Sequence, residues 1–213
     1  ALSFLTYMST IAPTTSFWDC GEFIACSFIL GVPHPPGAPL YILMGRLFSM
    51  MPSFIAADVG LRVNIMSPLI SAFSAMLTYL IIVRLILVWR AKPETLLDKL
   101  IVYGSGFIGA LAFAFSDSQW FNSVEAEVYA GSMFFTAIVV WLILRWMDRA
   151  ESSQSDRYIL IIFYIVGLAI GVHLLNLLAL PTIAMIIYAR RHQTKKADAF
   201  SEFWMMLLMA GLG

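Results

Sequence analysis

Apolar runs at about 1–16, 59–89, 100–116, 124–147, 158–189 and from 200 onward alternate with short charged segments, and this alternation leaves the chain few ways to fold. A helix crossing the ~30 Å hydrocarbon layer needs roughly 20 apolar residues, so runs of this length read as membrane spans. The 213 residues are 61% hydrophobic and 12% charged. Soluble domains average about 45–50% and about 25%, so the surplus exceeds what one soluble core could hide. The reading is all-α: a polytopic transmembrane helical bundle with room for six or seven spans. Thirteen basic and thirteen acidic residues cancel, so no global field draws nucleic acid.

The placement of the charges says more than their sum. Segments 90–99, 147–157 and 190–198, with Arg84 and Arg145 beside them, hold eleven of the thirteen basic residues; only Arg46 and Arg62 lie elsewhere. The positive-inside rule puts those three segments in the cytoplasm, and puts 17–58 and 116–127 on the outer face. Two consecutive inside loops, 147–157 and 190–198, demand an even number of crossings between them. The 31 or so residues available allow roughly 15 per crossing, about 23 Å at 1.5 Å per residue. Two short helices meeting at a polar turn near His173 and Asn176, inside a water-accessible cavity, satisfy this better than one long helix.

Ala1 lies inside one apolar run and Gly213 inside another, which reads as the N-terminal part of a longer membrane domain. Cys20 and Cys26 are six apart, off any shared helical face, and have no disulfide or metal spacing.

The first outer segment carries the chemistry. Stretches 20–30 and 38–51 are apolar helix candidates, joined by VPHPPGAP, where proline forbids a continuous helix. With Asp19, Glu22, His34 and Arg46 among them, neither half suits a crossing. Two interfacial helices along the membrane fit better. Asp19 and Glu22 stand as Asp-x-x-Glu before an apolar run, which is the form of a capping box. They also share one helical face at i, i+3, where a carboxylate could take a proton from an attacking hydroxyl. The two readings are compatible.

The second outer segment, 116–130, holds Asp117, Glu125 and Glu127 and no basic residue. On a continuing helix Glu125 and Glu127 point about 200° apart, so one must face protein or a cavity. Both are candidate sugar or acceptor contacts, with His173 and Asn176. Arg46 and Arg62 could anchor at headgroups. As the outer face's only Lys or Arg residues, they are also what a bound phosphate would need, with His34 beside them.

WDCGEF (18–23), HPPGAPLY (34–41), GRLF (45–48) and GLRVNIMS (60–67) resemble the first luminal loop of the GT-C membrane glycosyltransferases. Within that clan, SFWDCGEFIA (16–25), AEVY (126–129) and GLAIGVHLLN (167–176) look most like the family of unknown-function bacterial membrane proteins related to the animal transmembrane protein O-mannosyltransferases. The resemblance implies transfer of a sugar, mannose among the candidates, from a polyprenyl-phosphate donor. The acceptor would be Ser/Thr of an exported protein, and the reaction would invert at the periplasmic face of a bacterial inner membrane or at a luminal face. Asp19 matches the catalytic base, with Glu22 beside it. His34 stands where related enzymes place lysine, so a switchable imidazole replaces a fixed cation. No Asp-x-Asp motif occurs, which suits a metal-independent branch; no metal or cofactor is expected beyond the donor. An extramembrane C-terminal region is expected downstream.

The chemistry needs cationic stabilisation of the departing phosphate and one carboxylate base. The alternatives are a lipid or solute transporter or flippase, in which interrupted helices also occur, and a non-catalytic membrane scaffold whose outer acids are caps. Ionisable residues gathered at the outer ends of spans, rather than at mid-membrane, favour the enzyme.

Overall fold

A computed structural model describes residues 1–90, 92–152 and 154–192. The described residues are all-α. Helices α1 (Leu2–Ser9), α2 (Cys20–Ile29), α3 (Pro39–Ser49) and α4 (Val59–Asn64) precede the long helices α5 (Met66–Trp89) and α6 (Leu96–Ala114). Then come α7 (Asp117–Ser123), α8 (Val128–Met147), α9 (Ser155–Ile170), a 3-10 turn at Leu174–Leu178 and α10 (Ala179–His192). Among the described residues, four helical stretches are long and apolar enough to cross a membrane: Val59–Trp89, Leu96–Ala114, Val128–Met147 and Leu174–Arg191. The chain is a multi-pass membrane protein. The apolar run expected over 1–16 is helical only at Leu2–Ser9, because Pro13 and the Ser/Thr-rich residues after it favour turns over helix. The expected apolar run from 200 onward and most of segment 190–198 lie outside the described residues.

The core is built by α5, α8 and α9 with the two short helices α2 and α3 laid against one end; Phe23, Tyr41, Met66, Val128, Phe135 and Val172 meet there. Helix α8 packs on α9 and α10 through Val139, Ile143, Trp146, Ile162 and Ile183. Phe107, Ile108, Leu160 and Phe163 point outward and exposed, a pattern that suits lipid contact and would be anomalous in water.

The two ends of the bundle differ in charge. At one end Arg84 and Arg145 pair with Asp148, Arg190 with Glu151 at 3.2 Å and Arg191 with Asp156 at 3.7 Å. These contacts bring segments 84–90, 147–157 and 190–191 together, so the chain leaves this end in α9 and returns to it in α10. The turn falls at Gly171–His173, where the even-crossing argument places it. At the other end, the first two N–H groups of α3 that can donate, Leu40 and Tyr41, share the Gly171 carbonyl at 2.7 and 3.3 Å. Pro39, at the first position of α3, has no N–H to satisfy. A Cβ on Gly171 would lie 3.0 Å from that of Leu40, so glycine permits this docking. With Cys20 and Cys26 replaced, single cysteines at 150 and 191 are expected to react with a membrane-impermeant thiol reagent from one side, and a cysteine at 122 from the other. Labelling of all three from one side would refute the two-ended arrangement.

Candidate active site

Segment 17–58 folds over the acidic end, and α2 starts it. Asp19 is the N-cap of α2, yet its side chain makes no capping hydrogen bond. The capping box that the sequence allowed here is not formed; the chain builds one instead at Thr95 and Asp98, ahead of α6. The carboxylate of Glu22 turns away to grip His34. It accepts from the His34 backbone N–H at 2.7 Å and lies 2.7 Å from ring Nδ1. This clamp aims Nε2 toward Asp19, 4.0 Å from its Oδ2. The His34 hydrogen bond, side chain first and then backbone, holds the Glu22 carboxyl below its usual value. The same contact raises His34, extending its imidazolium form toward neutral pH. The clamp needs the chain to double back between α2 and α3. A cis Pro35–Pro36 bond and two left-handed residues, Gly37 (φ +92°) and Ala38 (φ +75°), make that turn.

Residues 124–127 are not helical, so the 200° argument fails. The Ala12 N–H donates to the Val124 carbonyl at 2.9 Å, and α8 begins only at Val128. Both acids therefore turn inward: Glu125 is 1% exposed and Glu127 4%. Each leaves its Oε1 without a hydrogen-bond partner, a condition that costs a buried polar atom about 1–3 kcal/mol. Burial, then the negative charges of Glu125 and Asp19, push Glu127 up to about 7. Burial likewise raises Glu125.

These groups border adjoining chambers. The larger, about 280 Å³, is walled by Trp18, Asp19, Phe121, Asn122, Glu125, Glu127 and Tyr129. A smaller one of about 50 Å³ is bounded by Asp19, His34, Gly37, Glu127, Tyr129 and His173, among others. Asp19, Glu127 and Tyr129 belong to both. An apolar groove of about 320 Å³, formed by Leu30, Val32, Pro33, Gly37, Ile42 and Leu43 with their neighbours, adjoins the small chamber through Gly37. Trp18 sits at the rim with φ +58°, which costs a bulky residue about 1–3 kcal/mol. His173 caps the 3-10 turn, its Nδ1 accepting from Leu175 N–H at 3.1 Å, so the neutral ring carries its proton on Nε2. Its ring packs 5.2 Å from that of Tyr129, and burial lowers its pKa.

Of the residues singled out from sequence, Asp19, His34, Glu125, Glu127 and His173 line these chambers, and Glu22 stands behind His34. Arg46, Arg62 and Asn176 lie outside them. Arg46 donates to the Phe28 carbonyl and covers the Phe28 ring at 5.7 Å. Arg62 ties the loop before α4 by donating to the carbonyls of Ala56, Ala57 and Ser49 at 2.7, 3.0 and 3.3 Å. Asn176 accepts from Ser132 and Thr136 and donates to the carbonyls of Ala169 and His173. It fastens the α9 break to α8. Trp18, Phe121 and Tyr129 escaped the sequence reading. The available signal was an aromatic beside or near each acid, in WD, QWFNSVE and EVY. Asp19, Glu22 and His34 each place one ligand atom within 4.8 Å of the others, a set able to hold a metal ion.

Helices that cross a membrane, with carboxylates converging on a cavity at one end, define a polytopic membrane protein with an acid-lined site. Residues 19–196 match the model of the protein O-mannosyl-transferase TMEM260 N-terminal domain, and the chain belongs to that family. It is 27% identical over 154 residues to the protein O-mannosyl-transferase tmem260 of Dictyostelium discoideum, covering 72% of this chain and 17% of that one. It is 28% identical over 171 residues to the protein O-mannosyl-transferase TMEM260 of Mus musculus, covering 80% of this chain and 22% of that one. The chain thus spans about a fifth of the length of these curated relatives. No solved structure matches it significantly.

Proposed function

We propose that this chain carries the reaction cavity of a GT-C-type protein O-mannosyltransferase. It would move mannose from polyprenyl phosphate to Ser/Thr of an exported protein, at the outer face of a bacterial inner membrane. One observation carries the reading beyond family membership: Asp19, free of any capping duty, stands between a Glu22-clamped imidazole and the buried pair Glu125 and Glu127. Asp19 takes the proton of the acceptor hydroxyl as its oxygen bonds to the anomeric carbon. The bond from that carbon to the phosphate oxygen breaks with its electron pair leaving on phosphate, so the centre inverts in one displacement. The His34 imidazolium balances the charge that develops on phosphate. Arg46, committed to the Phe28 carbonyl, anchors the end of α2 ahead of the loop that presents His34, while Arg62 is committed to the loop before α4.

The reading needs no metal, since phosphate is a good leaving group and the His34 imidazolium supplies a cation for it. Two measurements test it. Mass spectrometry of exported glycoproteins is expected to lose hexose-bearing Ser/Thr peptides when the gene is deleted; an unchanged set would rule the function out. Chelation by EDTA is expected to leave transfer by the full-length protein unchanged. Loss restored by added divalent ion would instead assign Asp19, Glu22 and His34 to a metal.

A further inference from the structure

We infer that the larger chamber holds the pyranose ring of the donor sugar, with the Trp18 indole as its stacking platform and the Glu125 and Glu127 carboxylates accepting from its hydroxyls. The inference rests on the reading of the site as a glycosyl-transfer cavity and deepens it by assigning the ligand's parts to places.

Three observations carry it. First, the indole of Trp18 is 84% exposed while its backbone holds the left-handed φ of +58°. Burial of the side chain does not offset that conformation, so the position is explained by what the ring does at the rim, one residue before Asp19. Second, the chamber combines three aromatic rings, Trp18, Phe121 and Tyr129, with two buried carboxylates that each have an unpartnered Oε1. A pyranose presents an apolar C–H face and a rim of hydroxyl donors, which is the complement of that lining. At about 280 Å³ the chamber falls just below the ~300–1,000 Å³ usual for drug-sized ligands, so it suits a single ring better than a folded stretch of peptide.

Third, the order of the cavities matches the order of a lipid-linked sugar. The apolar groove meets the small chamber at Gly37, and the small chamber meets the large one at Asp19 and Glu127. Tail, phosphate and sugar follow one another in the same sequence. This places phosphate by His34 and the anomeric carbon at the junction beside Asp19.

Trp18→Gly is the informative variant, because glycine adopts φ +58° freely and the fold is not put at risk. The probes are methyl α-D-mannopyranoside, read by saturation-transfer NMR on the full-length protein in nanodiscs, and a short-chain polyprenyl-phosphate mannose for kinetics. Wild type is expected to show saturation transfer to the mannoside, and Trp18→Gly to lose it. The donor KM is expected to rise about tenfold with acceptor KM unchanged, and Trp18→Phe to recover most of the loss. A rise confined to acceptor KM would give the chamber to the peptide, and unchanged constants or no mannoside signal in wild type would also overturn the inference. Should the protein transfer no mannose at all, the function proposed above fails. The mannoside signal and its loss in Trp18→Gly still decide this inference independently.

Discussion

Asp19→Asn is expected to lower kcat of the full-length protein by about 10²–10⁴, the usual share of general acid–base catalysis, with kcat/KM falling equally and donor KM unchanged. Asparagine keeps the shape and the hydrogen-bonding capacity of the side chain but removes its basicity. The structure makes this substitution clean. Asp19 accepts no capping hydrogen bond from α2 and is more than half exposed, so neither a cap nor a buried contact is lost. A purely structural Asp19 gives the opposite outcome. Asparagine caps a helix about as well as aspartate, so a capping role would survive the change with both Tm and transfer intact. Kinetics and a melting curve on the same preparation separate the two, and intact turnover would return the base to another carboxylate of the site, Glu22 or Glu127.

What was legible in the sequence was whatever the membrane itself enforces. Apolar run length, basic segments and parity are consequences of partitioning between lipid and water, and they found the long apolar helices within 59–89, 96–114 and 128–147 and the break at His173. The two short helices α2 and α3 were legible because the Pro-rich joint interrupts helix locally. Contacts between distant segments were not. Glu22 and His34 are twelve residues apart and meet only because the turn at 35–38 folds back. Glu125 and Glu127 were placed on a helix that does not exist, since the Ala12 N–H pairs with the Val124 carbonyl and stops it. Arg46 and Arg62 were chosen by counting cations. Their backbone carbonyl partners are invisible to a count. Aromatic walls were missed for a simpler reason: in a chain that is 14% aromatic, one more ring near an acid carries little signal until its exposure is known.

Glu127→Gln is expected to stabilise the protein at alkaline pH while weakening transfer. Burial and the neighbouring Glu125 and Asp19 carboxylates raise Glu127 from 4.5 to about 7. The native state therefore keeps a proton on this group between those two values, where the unfolded chain has released it. That retained proton contributes stability in full below pH 4.5, and the contribution is lost as pH rises to about 7. A shift of about 2.5 pKa units corresponds to about 3 kcal/mol at ~1.36 kcal/mol per unit. The wild-type Tm should thus decline between pH 5 and pH 8. Glutamine holds no charge to desolvate, so the variant should lose that slope and exceed wild type at pH 8 by an amount approaching this figure. A carboxylate retained for packing would behave otherwise, with Glu127→Gln lowering Tm at every pH and the slope surviving. The expected pairing, higher stability with poorer transfer, is the signature of a group kept strained for the sake of a site. It follows from a carboxylate that lines the cavity beside Asp19 and keeps one oxygen buried and unpartnered.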